Sequence, residues 1–200
     1  MTVHFFASTQ LAASPWKNGG GTTQEIACWP PGAGLDSFSW RISIARIARS
    51  GPFSAFPGID RVITLLDGAG VRLHSADGRI DHALDEALQP FAFSGDVALD
   101  CDVLGDACHD FNVMTRRGVV NAQVKVQRGA AITVHAPQGL LLVRAGRWRL
   151  RGLPGQNEHV LVAGADDGAY WTNSAMPVLA EPLDGDAQLI AVELQEAAAA

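Results

Sequence analysis

Short runs in which apolar and polar residues alternate recur along the chain. In Phe38–Ala45 every second residue is apolar, and Arg41 and Ser43 occupy two of the intervening positions. Similar alternation runs through Val97–Val103 and Val119–Val126. Because successive side chains of a β-strand point to opposite faces, this period of two predicts strands with one apolar and one more polar face.

Turn-forming residue pairs separate these runs at short intervals. Glycine follows Asp, Arg or Ala at positions 67–68, 77–78, 117–118, 145–146 and 184–185. Frequent short strands between glycine turns are typical of a β-sandwich or β-barrel. The strongest helical pattern, Asp81–Gln89, is only about two turns long. The sequence therefore predicts an all-β protein.

The chain is expected to fold as one compact body built from two β-rich halves. Leu65–Leu73 resembles Leu142–Leu150, since each has an apolar strand, an Ala-Gly turn and a return strand that ends in Leu. No linker-like composition divides the chain. We predict a first half over residues 1–118, a second half over residues 119–195, and a disordered tail over residues 196–200.

Composition and charge exclude several classes of function. The 200 residues are 48% hydrophobic and carry a formal net charge of −6, which disfavours a nucleic-acid partner. No run reaches the roughly 18–20 apolar residues of a membrane span. The start of the chain lacks the basic residues of a signal peptide. We therefore expect a cytoplasmic protein without a membrane or nucleic-acid partner, in which Cys28, Cys101 and Cys108 are reduced.

No pattern for metal binding or covalent catalysis stands out. None of the six histidines forms a His-x-His pair, although metal ligands usually include two that are close in sequence. The cluster Cys101–Asp110 matches no zinc spacing, and no Gly-x-Ser-x-Gly motif is present. We expect no metal, no cofactor and no catalytic residue.

The least ordinary stretch is Pro15–Ile26, with the sequence PWKNGGGTTQEI. A run of glycines can turn successive backbone N–H groups toward an anion. The spacing is not that of a nucleotide-binding P-loop, and no helix follows. An aromatic plate, a cation and an amide beside the glycines favour a recognition role over a flexible connection. The predicted ligand-binding residues here are Trp16, Lys17, Asn18, Gly19, Gly20 and Gly21.

Further polar candidates lie on three other stretches of the chain. Arg41 and Ser43 share one strand face, and the sequence leaves open whether that face points inward. An arginine in a cavity would need a carboxylate or phosphate partner. Later segments with polar groups that alternation does not explain add four candidates: Arg61, Asp110, Asn112 and Arg116.

Together these stretches resemble the HutD/Ves family. The resemblance rests on Pro15–Ala27, Phe38–Ile47, Gly51–Arg61, Phe91–Asp96 and Asp110–Gly118. It implies a bicupin-like fold of two fused antiparallel β barrels or sandwiches, with RmlC-like cupin architecture. The family is associated with histidine utilisation, and a role in limiting flux through that pathway has been proposed for it. The usual cupin metal ligands, two histidines one residue apart followed by a glutamate, are absent from this sequence.

Our leading hypothesis is a non-enzymatic protein that binds a small anionic metabolite of the urocanate or N-substituted glutamate class. Such binding would regulate histidine utilisation. One alternative is a metal-independent cupin isomerase, lyase or hydrolase with Asp60, His109 or Asp110 as its base. Another is an inhibitor that binds an enzyme of the histidine pathway. A homodimer is compatible with each hypothesis.

Overall fold

A computed structural model describes residues 2–153, 159–162 and 168–198 of the chain. Contacts divide the chain into two compact units. The core unit spans Ala12–Val120, and the terminal unit combines Met1–Leu11 with Asn121–Ala200. Residues 1–11 thus belong with the C-terminal half, whereas the sequence-based division placed them in the first half.

The core unit contains two antiparallel sheets. The larger sheet has the strand order β2-β3-β4-β11-β6-β9, and the smaller has the order β5-β10-β7-β8. The strands are β2 (Ala13–Pro15), β3 (Gly21–Trp29), β4 (Trp40–Ile47), β5 (Gly51–Phe53), β6 (Ile59–Asp67), β7 (Val71–His74), β8 (Asp81–Leu84), β9 (Pro90–Ser94), β10 (Leu99–Val103) and β11 (Cys108–Arg116).

Apolar side chains from both sheets of the core unit pack into one core. Ile47, Ile63 and Leu65 come from the larger sheet, and Leu73 and Leu99 come from the smaller one. Burying apolar area of this kind is the main force that holds two sheets together. The core unit is therefore a sandwich, and this packing defines which face of each strand points inward.

The terminal unit has the same kind of two-sheet construction. Its sheets have the orders β1-β17-β14-β19-β12 and β13-β18-β15-β16, and Trp148 and Trp171 are fully buried in its core. The elements are β1 (Thr2–Phe6), a 3-10 turn (Ser8–Gln10), β12 (Val120–Arg128), β13 (Ile132–Val134), β14 (Gln138–Ala145), β15 (Arg147–Arg151), β16 (His159–Val162), β17 (Gly168–Thr172), β18 (Val178–Pro182) and β19 (Gln188–Glu196).

The all-β prediction is confirmed, and three details differ from it. In the described residues the strand pairings form open sheets with two edge strands each, not closed barrels. The helical pattern was misleading, since Asp81–Leu84 is a strand paired with β7. Its apolar contacts override a weak local preference for helix. Of the predicted tail, Glu196 ends β19, and residues 199–200 lie outside the described residues.

The glycine turns predicted from the sequence are present where β-strands reverse. Gly68, Gly78, Gly118 and Gly146 all have positive φ angles between 67° and 89°. Side chains with a Cβ adopt this conformation at a cost of about 1 kcal/mol or more, so glycine is the natural residue there. Among the described residues no helix has the length and apolar character needed to cross a membrane.

Candidate functional site

Strand register brings five of the predicted site residues onto one face of the larger sheet. Asn112 of β11 lies directly opposite Ser43 of β4. One row further, Met114 lies between Arg41 and Arg61. In the other direction, Asp110 lies opposite Leu65. Because directly opposed residues share a face, these polar side chains lie on the face that also carries the core residues Ile63 and Leu65.

This register answers the question left open by the sequence. Arg41 and Ser43 point toward the space between the two sheets, since they alternate in step with the core residue Ile47. The opposite face of β4 is buried as well, through Trp40, Ile42 and other apolar residues. Both faces of the strand are therefore covered, and the polar row lies inside the sandwich.

Four of these side chains form a group that we call the buried polar cluster: Ser43, Arg61, Asp110 and Asn112. Their exposed fractions are 1%, 4%, 2% and 7% respectively. Buried polar groups in proteins nearly always have hydrogen-bond partners. The Oγ of Ser43, the Nε of Arg61, both carboxylate oxygens of Asp110 and the Oδ1 of Asn112 have none among the other described residues. Such a set of unpaired atoms is the mark of a site that a ligand or water completes.

Three aromatic rings surround the guanidinium of Arg61. Its Cζ lies 4.5 Å from the ring centroid of Phe53, 5.2 Å from that of Phe93 and 5.4 Å from that of Phe56. Its Nη1 donates a hydrogen bond to the backbone oxygen of Ser54 at 3.2 Å. Ring faces attract a cation, and they also hold the planar group in one orientation.

Burial lowers the pKa of Arg61 to about 10, while the negative charge of Asp110 opposes this shift. The guanidinium therefore stays positively charged at neutral pH. The aromatic rings remove water from around it, and the hydrogen-bond acceptor that the described residues provide is the backbone oxygen of Ser54. An anion would bind such a cation more strongly than it binds one in water.

Burial acts on Asp110 in the opposite direction. Loss of water raises the pKa of Asp110 to about 7, and the charges of Arg61 and His109 reduce the shift. Its carboxylate accepts no hydrogen bond from Arg61 or from another described residue. Asp110 is consequently a carboxyl group that changes its protonation state near neutral pH.

Arg41 lies at the edge of this group and already has a partner. Its Nε donates to the Oε2 of Glu25 at 2.7 Å, across the β3–β4 pairing. Glu25 was not predicted from the sequence. A bulge in β3 between Glu25 and Ala27 sets this register, and a bulge is hard to place from sequence alone because it changes which residues oppose each other.

The glycine run forms a tight turn that begins at Trp16. Gly19 has a φ of +68°, and its N–H donates to the backbone oxygen of Trp16. The N–H of Gly20 donates to the Oδ1 of Asn18 at 3.0 Å. Both N–H groups are therefore used inside the turn, and a ligand-binding role for Gly19, Gly20 and Gly21 stays a prediction.

The other two glycines allow close approach of neighbouring backbone. The carbonyl oxygen of Gly20 accepts hydrogen bonds from the N–H groups of Ala48 and Arg49. A Cβ at Gly21 would lie 2.1 Å from the backbone oxygen of Arg46. The turn is thus held against the end of β4 through backbone contacts that a larger residue would prevent.

Residues of this turn line a small pocket in the core unit. Its volume is about 130 Å³, and Trp16, Asn18 and Gly20 form one wall. Trp16 is fixed there by a 2.7 Å hydrogen bond from its Nε1 to the Oγ1 of Thr23. Phe53, whose ring contacts Arg61, also lines the pocket. The pocket therefore adjoins the aromatic surroundings of the buried polar cluster without containing the cluster itself.

Two predicted site residues lie apart from the cluster. Lys17 is exposed at the turn, so its role in ligand binding stays a prediction. The guanidinium of Arg116 donates to the backbone oxygens of Phe38 and Asp36, at 2.9 Å in each case. Arg116 therefore holds the loop that precedes β4, and this accounts for its position without a ligand.

The remaining candidates for acid–base or metal chemistry are mostly on the surface. Asp60 binds Arg117, and His109 binds Asp67 through a 2.7 Å contact from Nδ1 to Oδ1. Burial raises the pKa of Cys101 to about 12 and that of Cys108 to about 11, so both thiols are protonated at neutral pH. In the part of the chain that the structure describes, no three His, Cys, Asp or Glu side chains are grouped to hold a metal ion.

Comparison with known proteins gives consistent matches. A family model described as HutD matches residues 8–191. Protein Ves of Escherichia fergusonii is 38% identical over 170 residues, which are 84% of this chain and 83% of that protein. A structure of HutD from Pseudomonas fluorescens SBW25 has a TM-score of 0.81 at 30% identity, covering 98% of this chain and 99% of that one. A conserved protein from Pseudomonas aeruginosa PAO1 has a TM-score of 0.86 at 32% identity, covering 98% and 100% respectively.

More distant structures share the fold. The cupin 2 conserved barrel domain protein from Leptotrichia buccalis has a TM-score of 0.60 at 9% identity, and 96% of each chain is covered. At this identity the likeness concerns the arrangement of strands alone. The strand-rich architecture is accordingly of the cupin type.

Proposed function

Because the chain belongs to the HutD family, we propose that it binds a small carboxylate in its core unit and thereby regulates histidine utilisation. The family's association with that pathway, implied by the sequence resemblance, supplies the biological setting. We further propose that the two units correspond to the two barrels of a bicupin-like fold. The ligand would be a pathway intermediate of the urocanate or N-substituted glutamate class.

One observation carries this proposal: the core unit buries a charged guanidinium among aromatic rings, next to other polar atoms that lack partners. Moving an arginine out of water is costly unless an anion or several acceptors compensate. Among the described residues Arg61 has one backbone acceptor, and its Nε has none. A ligand carboxylate would supply the missing acceptors, and the buried Ser43 hydroxyl lies on the same face to assist.

The expected strength of binding follows from the bonds available. A hydrogen bond to a charged group contributes roughly 1.5–3 kcal/mol. Two or three such bonds would give a dissociation constant in the micromolar range, after the costs of ordering the ligand are subtracted. The pocket beside Phe53, with a volume of about 130 Å³, suits a small molecule rather than a peptide or nucleotide.

We predict that replacing Arg61 abolishes most of this binding. Calorimetry with urocanate and with N-formyl-glutamate should give a micromolar dissociation constant for at least one of them. Arg61→Gln should weaken that constant by about 100-fold, since this factor corresponds to about 2.7 kcal/mol, which lies within the range of one charge-assisted hydrogen bond.

A matched control is Arg46→Ala, because Arg46 is exposed on the opposite face of β4. This variant should bind within about twofold of the unaltered protein. Absence of binding by either compound at millimolar concentration would remove the proposed function. Equal losses in Arg61→Gln and Arg46→Ala would place the site elsewhere.

Asp110 favours one second candidate, an enzyme that needs no metal. A buried carboxyl group with a pKa of about 7 is suited to act as a general base. In that case the protein should turn over a bound carboxylate, as measured by a change in its ultraviolet absorbance or by NMR. Asp110→Asn should lower the turnover rate by at least about 100-fold, while the compound still binds. If the unaltered protein binds the compound without turning it over, the enzyme hypothesis is wrong and the binding function is supported.

A further inference from the structure

The unpaired atoms of the buried polar cluster are not all of one kind. Arg61 Nε is a donor, and the Ser43 hydroxyl can donate or accept. Both oxygens of Asp110 and the Oδ1 of Asn112 are acceptors, and these three have no donor among the other described residues. A ligand that carried only a carboxylate would satisfy Arg61 and leave the three acceptors unpaired.

These atoms follow an order along the sheet. Arg61 lies on the row of Met114, Ser43 and Asn112 occupy the next row, and Asp110 lies one row further. Along the strands the backbone positions of Arg61 and Asp110 are thus at the two ends of the cluster, with Ser43 and Asn112 between them. A molecule lying along these rows would meet a donor at one end and acceptors at the other.

Resting on the proposed function above, we propose that the ligand of the buried polar cluster is bipolar: its carboxylate faces Arg61, and an N–H group at its other end donates to Asp110. The ligand class is then a small carboxylate that also carries a pyrrole-type, imidazole, amide or ammonium N–H. Asn112 and Ser43 would bind the middle of the molecule.

The charges around Asp110 support this assignment. Arg61 of β6 is the inward cation that interacts with it, and His109 contributes from β11. Cys101 of β10 and Cys108 of β11 also lie near enough to interact with Asp110. Both thiols are uncharged at neutral pH, so neither adds a second negative charge beside Asp110. Leaving an ionised carboxylate buried without a donor is costly, and an N–H group from the ligand removes that cost.

The sign of the pH dependence separates a bipolar ligand from a simple carboxylate. Burial raises the pKa of Asp110 to about 7, so the group goes from mostly protonated to mostly ionised between pH 6 and pH 8. An N–H donor binds the ionised form better, and its affinity should rise over this interval. A ligand without a donor would bring its own negative charge toward the ionised Asp110, and its affinity should fall.

The test uses two small acids that differ in one ring atom. In 3-(pyrrol-2-yl)acrylate the ring carries an N–H donor, whereas in 3-(furan-2-yl)acrylate an oxygen replaces it. Neither ring titrates between pH 6 and pH 8, so changes in affinity report on the protein. We expect calorimetry at pH 8 to show the pyrrole acid binding at least about tenfold more tightly, because a site built for a donor discriminates against its absence. Its affinity should also rise by up to about tenfold between pH 6 and pH 8.

The variant Asp110→Asn provides the matched comparison, since it keeps the shape and removes the charge. It should bind the pyrrole acid without the rise between pH 6 and pH 8, and its melting temperature shows whether it is folded. Equal affinity for the two acids, or tighter binding of the furan acid, would overturn the bipolar ligand while leaving a carboxylate site in place. If neither acid binds at millimolar concentration, and urocanate and N-formyl-glutamate fail as well, the proposed function falls together with this inference.

Discussion

The variant Gly21→Ala is expected to lose about 4 kcal/mol of its free energy of unfolding, near the upper end for a single substitution. An added Cβ would lie 2.1 Å from the backbone oxygen of Arg46 and 3.2 Å from the Trp16 ring. The close atom belongs to the backbone of β4, a strand paired on both sides, so it cannot move aside without disturbing the sheet. Denaturant unfolding followed by tryptophan fluorescence measures the change.

The same substitution two residues earlier is the control. Gly19 has a φ of +68° but open space around its Cβ position. Gly19→Ala should therefore lower the free energy of unfolding by only about 1–2 kcal/mol, which is the cost of placing a side chain in the left-handed region. If Gly21→Ala proves no more destabilised than Gly19→Ala, the close approach to Arg46 does not restrict position 21.

These two positions show what the sequence could and could not reveal about the glycine run. Three consecutive glycines indicate a special backbone, and that prediction is consistent with the structure. Gly19 has a positive φ within the turn, whereas Gly21 allows close approach to the backbone of strand β4, which is more than twenty residues away in sequence. Nothing in the local pattern identifies that neighbour, so the run suggested an anion-binding loop instead.

The fold was more accessible to sequence analysis than the site. Alternation and glycine turns predicted an all-β protein, and the family motifs are confirmed by the match over residues 8–191. Alternation failed to orient β4, because Trp40 and Ile42 are buried on one face while Ser43 is buried on the other. In a strand covered on both sides, polarity no longer distinguishes inside from outside.

The partners of the cluster were the hardest to foresee. Asp110 and Asn112 stood out in the sequence because the apolar–polar alternation of a surface strand does not explain them well. Glu25 and Phe93 gave no such signal, since each acquires its role through a residue distant in sequence: Glu25 through Arg41, and Phe93 through Arg61. Long-range register decides these contacts, and periodicity within one segment contains no information about it.

The last prediction concerns stability and pH, and it follows from the burial of Asp110. Its pKa is raised from the ordinary 3.8 to about 7 in the folded protein. The folded state therefore holds this proton more tightly than the unfolded state does. The contribution of Asp110 to stability is greatest below pH 4, and it is lost as the pH rises to about 7. One pKa unit corresponds to about 1.4 kcal/mol, so the loss is at most about 4 kcal/mol.

Asp110→Asn should remove this loss because an amide does not ionise. Relative to the unaltered protein, the variant should have a similar free energy of unfolding near pH 4 and a higher one at pH 8, by up to about 4 kcal/mol. Denaturant unfolding of both proteins across this range measures the difference directly. Asp100→Asn, at an exposed position of β10, removes one acidic group without altering the core and should stay within about 0.5 kcal/mol throughout. If the difference in free energy of unfolding between Asp110→Asn and the unaltered protein is constant from pH 4 to pH 8, Asp110 ionises in the folded state at its ordinary pKa. The cluster would then already contain a hydrogen-bond donor for Asp110, and no donor from a ligand would be needed.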